Sequence, residues 1–368
     1  FRDCFVGFRS KGVQPLATTN SFFLTACFYS AKVSSIKITI VLRYVMPFIV
    51  VPDDDPAAFA GTLHEEKLKQ VGVVRTYSGN RPVGDEALLA RIKEASVSLN
   101  FRSSSVFSRN VLEKCPNLKL ISVCGIGYDN VDVKAADELG ITVTNTPGYS
   151  SIAVAEMALT LALSVAHRIV PNDQSVRANG WAKVYAIQLC GKTLGIIGTG
   201  NIGQRMIQLG KAIGMKVIAW TFNPSPKRAA KYGVEYVPLD KLLRESDVIS
   251  LHIPLTNESR GLIGTKEFDI MKRSAILVNT ARGAVVDEAA LIDALRNKRI
   301  AGVGLDVYAV EPLPDNHPLR SMENDVLSPH VSTMVPEAAN LCMQMAADNV
   351  VNFYKGTPTN VVNRPIQR

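Results

Sequence analysis

From Met46 onward, short apolar runs alternate with longer stretches in which apolar positions recur every three or four residues. A run such as Phe48-Ile49-Val50-Val51 offers no polar face. That suits a strand covered on both sides by helices, as in a parallel sheet, better than one half exposed in an antiparallel sheet. Strands are predicted at 48–51, 96–100, 118–123 and 141–144, with helices at 65–71, 85–94 and 131–139, the last closed by Gly140. A long apolar helix is expected over 152–170, ended by Pro171. The second half repeats the alternation, with strands at 192–198, 216–220, 247–252, 275–279, 301–305 and 325–327. Helices are predicted there at 201–214, 239–244 and 287–298. Six strands between 192 and 330 match two βαβαβ halves, so the class is α/β with a doubly wound parallel sheet.

Residues 1–45 do not share this pattern. They are rich in Ser, Thr and Phe and hold six basic side chains (Arg2, Arg9, Lys11, Lys32, Lys37, Arg43) against one acid, Asp3. This segment therefore supplies +5 of the formal +8, leaving +3 for the rest. It reads either as an extension dispensable for folding, with Met46 as the start, or as an organellar targeting sequence. No cluster of Lys and Arg interleaved with aromatics follows, so nucleic acid is not an expected partner. The longest apolar stretch, 38–51, is broken by Arg43 and is shorter than the ~20 residues that span a bilayer, so no membrane partner is expected. Six cysteines without CxxC or metal-finger spacing suggest reduced thiols, no metal and a cytoplasmic location.

Gly198-Thr199-Gly200-Asn201-Ile202-Gly203 follows a predicted strand and opens a predicted helix. In that setting GxGxxG binds a dinucleotide. The first glycine makes the tight turn, the second admits the pyrophosphate and the third lets helix and strand pack closely. The end of the next strand, where an acid would hold the ribose hydroxyls of NAD, carries Thr221, with Lys227 and Arg228 just beyond. NAD(H) and NADP(H) are both compatible with it.

Reduction of a 2-keto acid needs a cation for the carboxylate, a proton donor for the carbonyl oxygen and a group that keeps the donor charged. Arg282, Glu311 and His330 each lie beyond the carboxyl end of a predicted strand, where open parallel sheets gather ligands. They are the candidates for these three roles.

Taken together, these features resemble the D-isomer-specific 2-hydroxyacid dehydrogenases, which include phosphoglycerate dehydrogenase, glyoxylate/hydroxypyruvate reductase and D-lactate dehydrogenase. The resemblance runs from Met46 to about Pro365. It rests on Gly125 to Asp132, Asn145 to Gly148, Val154-Ala155-Glu156, the glycine fingerprint, Leu251 to Thr256, Asn279 to Gly283, Gly304 to Val307, Glu311-Pro312 and Pro329-His330. It implies two Rossmann-like doubly wound domains. The substrate domain would be discontinuous (46–146 and 332–368) around a cofactor domain at 147–331, usually in a homodimer. It further implies that Arg282 binds the substrate carboxylate and that His330 is the general acid and base, tuned by Glu311. Backbone amides of Ile126 and Gly127 would complete the carboxylate pocket, and Arg102 would read the far end of the substrate. His252, Pro254, Thr256 and Thr280 would line the cofactor, and Asp306 would hold the nicotinamide carboxamide. Two other readings share the fold. Formate dehydrogenase is disfavoured because it pairs its histidine with glutamine. A dinucleotide-sensing corepressor-like binding protein keeps the same cofactor site.

Overall fold

The computed structural model describes residues 46–364 except 103 and 182, so the expectations for residues 1–45 lie outside the described residues. The described residues form two sheets in which every strand pair is parallel. The first contains β1 (Phe48–Asp54), β2 (Val73–Ser78), β3 (Val97–Asn100), β4 (Leu120–Val123) and β5 (Thr142–Thr144), in the order β2-β1-β3-β4-β5. The second contains β6 (Thr193–Ile197), β7 (Lys216–Trp220), β8 (Glu235–Tyr236), β9 (Val248–Leu251), β10 (Ile276–Asn279), β11 (Gly302–Leu305) and β12 (Asp325–Leu327). Their order is β12-β11-β10-β9-β6-β7-β8, so the winding reverses between β6 and β9. Crossovers from that pair leave in opposite directions, and a crevice opens at their carboxyl ends.

Helices cover both faces of each sheet, which is why the central strands are buried throughout, with all four residues of β3, β4, β9, β10 and β11 out of solvent. In the second sheet one face packs on the Leu239–Glu245, Thr265–Ile270 and Glu288–Arg296 helices, with Leu243, Phe268 and Leu291 in the core. The other face packs on Ser151–Ala166 and Asn201–Ala212 through Leu161, Val165 and Met206. Each such side chain contributes roughly 1.5–3 kcal/mol on leaving water. The first sheet is covered on one face by helices carrying Leu88, Val111 and Ala135. Its other face packs on Leu63–Lys69 and on Pro336–Tyr354, a helix that returns from beyond the second sheet.

The expected helix over 152–170 needs correction. It ends at Ala166, Arg168 takes a left-handed φ of 55°, and a second helix, Ile169–Arg177, departs at 63°. Pro171 does not stop the chain; it sits in the first turn of the second helix, where its missing N–H would have had no partner. The second sheet has seven strands rather than six because the two-residue β8 was not anticipated. β2 and the Pro336–Tyr354 helix were not anticipated either. No single helix among the described residues is long and apolar enough to cross a membrane.

Candidate active site

The glycine turn lies at the crevice between β6 and β9. Gly198 has φ +99°, and a Cβ there would come within 2.4 Å of the His252 carbonyl oxygen. A Cβ on Gly203 would lie 1.9 Å from the Gly198 carbonyl, so only glycine lets the Asn201–Ala212 helix start this close to β6. Gly200, by contrast, faces open space. It caps the helix without a side chain, leaving the first amides, including those of Asn201 and Ile202, directed at that space. These features fit a pyrophosphate.

The far wall fits the rest of a dinucleotide. Thr280 Oγ1 and His252 Nδ1 are buried without a hydrogen-bond partner. His252 Nε2 meets Ser250 Oγ at 2.9 Å, and burial pushes the ring down to about 3, so it is neutral at any working pH. The loop with Pro254 and Thr256 is knitted by Ser259, whose Oγ donates to the Pro254 carbonyl (2.7 Å) and accepts from the Thr256 amide (2.7 Å). Thr221 directly follows β7, and beyond it Arg228 donates to the Asn223 carbonyl at 2.7 Å.

Beyond β10, β11 and β12 the three chemical candidates converge. His330 Nδ1 lies 2.7 Å from Glu311 Oε2, while the other Glu311 oxygen accepts from the Tyr308 amide at 3.0 Å. The Glu311 hydrogen bond raises the His330 pKa above its ordinary value, against the pull of burial. Burial would raise Glu311, but the hydrogen bonds from His330 and Tyr308 outweigh it and hold the carboxyl low. The result is a histidine biased toward imidazolium, with Nε2 left for a substrate.

Arg282 reaches across to the first sheet. Its Nη2 lies 3.2 Å from Asp129 Oδ2, and a Cβ on Gly127 would fall 2.0 Å from that same nitrogen. The guanidinium therefore lies against the 125–127 turn. That turn is held by Asn145, which donates to the Ile126 carbonyl (2.8 Å), and by the Thr146 amide on the Gly125 carbonyl (3.0 Å). Asn279 donates to the Arg282 carbonyl at 2.9 Å and fixes the arginine's backbone.

Two expected residues are engaged elsewhere. Asp306 is fully buried and accepts from Ser328 Oγ (2.7 Å) and the amides of Val331 (2.9 Å) and Ser332 (3.0 Å), gripping the loop that carries His330. Arg102 donates to the Pro56 carbonyl at 2.6 Å and stacks on the Phe101 ring. Asp129, Asn145 and Ser259 had no role in the sequence reading. Asp129 and Asn145 lay inside motifs noted there, but their partners are distant in the chain.

Comparison with known proteins gives the family. Residues 159–332 match the family model described as D-isomer specific 2-hydroxyacid dehydrogenase, NAD binding domain. A glyoxylate reductase of Aeropyrum pernix is 40% identical over 311 residues, covering 82% of this chain and 92% of that protein. The crystal structure of a glyoxylate reductase from Paecilomyes thermophila superposes with a TM-score of 0.78 at 31% identity, covering 86% of this chain and 98% of that one. A D-lactate dehydrogenase from Aquifex aeolicus, complexed with NAD and lactic acid, gives 0.75 at 29% identity over 87% of this chain and all of that one. The chain belongs to the D-isomer specific 2-hydroxyacid dehydrogenase family and is an NAD(P)-dependent oxidoreductase of that group.

Proposed function

We propose that this enzyme reduces a short 2-keto acid to the D-2-hydroxy acid, and that the charged His330–Glu311 pair facing Arg282 is its catalytic centre. The observation that carries this reading is the 2.7 Å contact between His330 Nδ1 and Glu311, which leaves the second ring nitrogen as proton donor. The nicotinamide supplies hydride when bound. Arg282 binds the substrate carboxylate with its planar fork, releasing Asp129, and the amides of Ile126 and Gly127 complete that pocket. His330 gives a proton to the keto oxygen in reduction and takes it back in oxidation. Thr280, His252, Pro254 and Thr256 line the cofactor, whose pyrophosphate rests on Gly198 to Gly203. Asp306, offered above for the carboxamide, acts through the His330 loop.

Arg102 is already held by Pro56 and Phe101, which favours a two- or three-carbon substrate such as glyoxylate or hydroxypyruvate over one with a second anionic group. Thr221 presents no charge to a 2′-phosphate, so NADPH is accepted alongside NADH. The substrate domain comprises 46–146 and 332–368, and the cofactor domain 147–331. A homodimer is favoured by the apolar side chains left bare after the Arg168 break, with Trp181 78% exposed and Tyr185 fully so.

The test is oxidation of NADH and NADPH with glyoxylate, hydroxypyruvate, pyruvate and phosphohydroxypyruvate, alongside His330→Ala. Turnover is expected with the short acids, reduced by a factor on the order of 10²–10⁴ in the variant while NADH still binds. No turnover with any acid, despite intact cofactor binding, would turn the assignment toward a dinucleotide-sensing protein.

A further inference from the structure

Two thiols that the chemistry above does not use meet beside the substrate turn. Cys124 directly follows β4 and precedes Gly125, and Cys342 lies near the start of the Pro336–Tyr354 helix. They are 218 residues apart in sequence, yet their sulfurs are 2.9 Å apart, closer than two unbonded sulfurs ordinarily come. Cys342 is 4% exposed, and Thr146 Oγ1 lies 3.3 Å from its sulfur. Both backbones are fixed locally. The Cys124 amide donates to the Asn100 carbonyl at 2.9 Å, and Ser122 Oγ donates to the Ala346 carbonyl at 2.9 Å, tying strand to helix one turn further on. A closing movement of about 1 Å by the sulfurs alone would reach the ~2.05 Å of a disulfide.

We propose that Cys124 and Cys342 form an oxidation site, in which a peroxide converts the dithiol to an intramolecular disulfide that slows substrate binding. One sulfur, as thiolate, attacks a peroxide oxygen, and the O–O bond breaks with loss of hydroxide to leave a sulfenic acid. The second thiol then attacks that sulfur, forming the S–S bond and releasing water. Two thiols and one hydrogen peroxide give one disulfide and two waters, and an added dithiol reverses the change. The functional consequence follows from position. Gly127, three residues past Cys124, lies against Arg282, so a shift at residue 124 reaches the carboxylate pocket. The cofactor turn stands on the other sheet.

The setting also makes the reaction pH-dependent. Burial and the Cys342 thiol beside it keep the Cys124 thiol protonated, with Arg102 the opposing cation. Oxidation therefore quickens as pH rises into the alkaline range.

The experiment treats the full chain with hydrogen peroxide, blocks remaining thiols with N-ethylmaleimide and maps peptides without reduction. A linked Cys124–Cys342 peptide is expected, with a several-fold rise in KM for the keto acid, unchanged NADH affinity and recovery with dithiothreitol. Cys342→Ala and Cys124→Ala should each abolish the linked peptide and the sensitivity. Absence of the peptide overturns the site. A linked enzyme with unaltered KM, or sensitivity persisting in both variants, overturns the proposed consequence. The activity readout alone rests on the dehydrogenase reading; the peptide map decides the site even if no keto acid is turned over.

Discussion

His330 has a φ of 54°, a left-handed conformation that costs a non-glycine residue about 1–3 kcal/mol unless its surroundings enforce it. Asp306 provides that enforcement by accepting from Ser328 on one side of it and from Val331 and Ser332 on the other. Glu311 then sets the charge. In the proposed chemistry reduction needs the imidazolium, so its rate should hold through neutral pH and fall as pH passes the raised His330 value; oxidation should show the opposite slope. Glu311→Gln removes the main cause of the rise, and the falling limb of kcat/KM for reduction should move toward the ordinary ~6.5. An unmoved limb would mean that another group titrates. The same raise stabilises the fold fully below ~6.5, and that contribution is lost as pH climbs through the folded-state value. At the cofactor's ribose end, Thr221→Asp should shift the NADH/NADPH preference at least tenfold toward NADH, read from kcat/KM with each. Arg282, Glu311 and His330 could be found in the sequence because each follows an apolar run. Asp129 could not be assigned a role, since its partner is Arg282, 153 residues away.

At the level of elements, the Asn201–Ala212 helix shows how tightly local choices bind to function. Gly203→Ala places a methyl group against the Gly198 carbonyl, and the helix must lift from β6 to admit it. A loss of roughly 1–3 kcal/mol is expected in thermal melts. Fluorescence titration should show at least tenfold weaker NADH binding, because the amides proposed to hold the pyrophosphate move with the helix. Normal affinity would show that the helix start is not the phosphate site. Elements with a one-sided or fully apolar pattern were legible in the sequence. β2 was not, because an edge strand with alternately exposed residues, such as Val-Val-Arg-Thr-Tyr-Ser, lacks a continuous apolar run. The Pro336–Tyr354 helix did carry a signal: Pro336 in its first turn, then apolar positions at 338, 342, 343, 346, 347 and 350. The break at Arg168 had none, since a left-handed arginine leaves no mark on composition.

For the whole molecule, Asn349 ties the returning helix to the segment that leaves β5 for the second sheet. Its fully buried side chain donates to the Asn145 carbonyl (2.8 Å) and accepts from Thr359 Oγ1 (3.0 Å) and Asn360 Nδ2 (2.9 Å). Asn349→Ala strands these partners, and a loss of roughly 1–3 kcal/mol or more is expected, seen as a lower Tm with near-normal turnover in the molecules that remain folded. An unchanged Tm would show the network to be dispensable. The position of the returning helix also bears on the order of synthesis. Ile49, Val51, Leu68, Leu99 and Leu120 form an apolar face whose cover, Met343, Ala346, Ala347 and Val350, is translated more than 200 residues later. At ~5–20 residues per second, a nascent chain keeps that face bare on the ribosome for about 10–40 s. Every neighbouring strand must also wait for a crossover before it can pair. The first lobe is begun first and finished last, and during that interval it is a natural client for a chaperone.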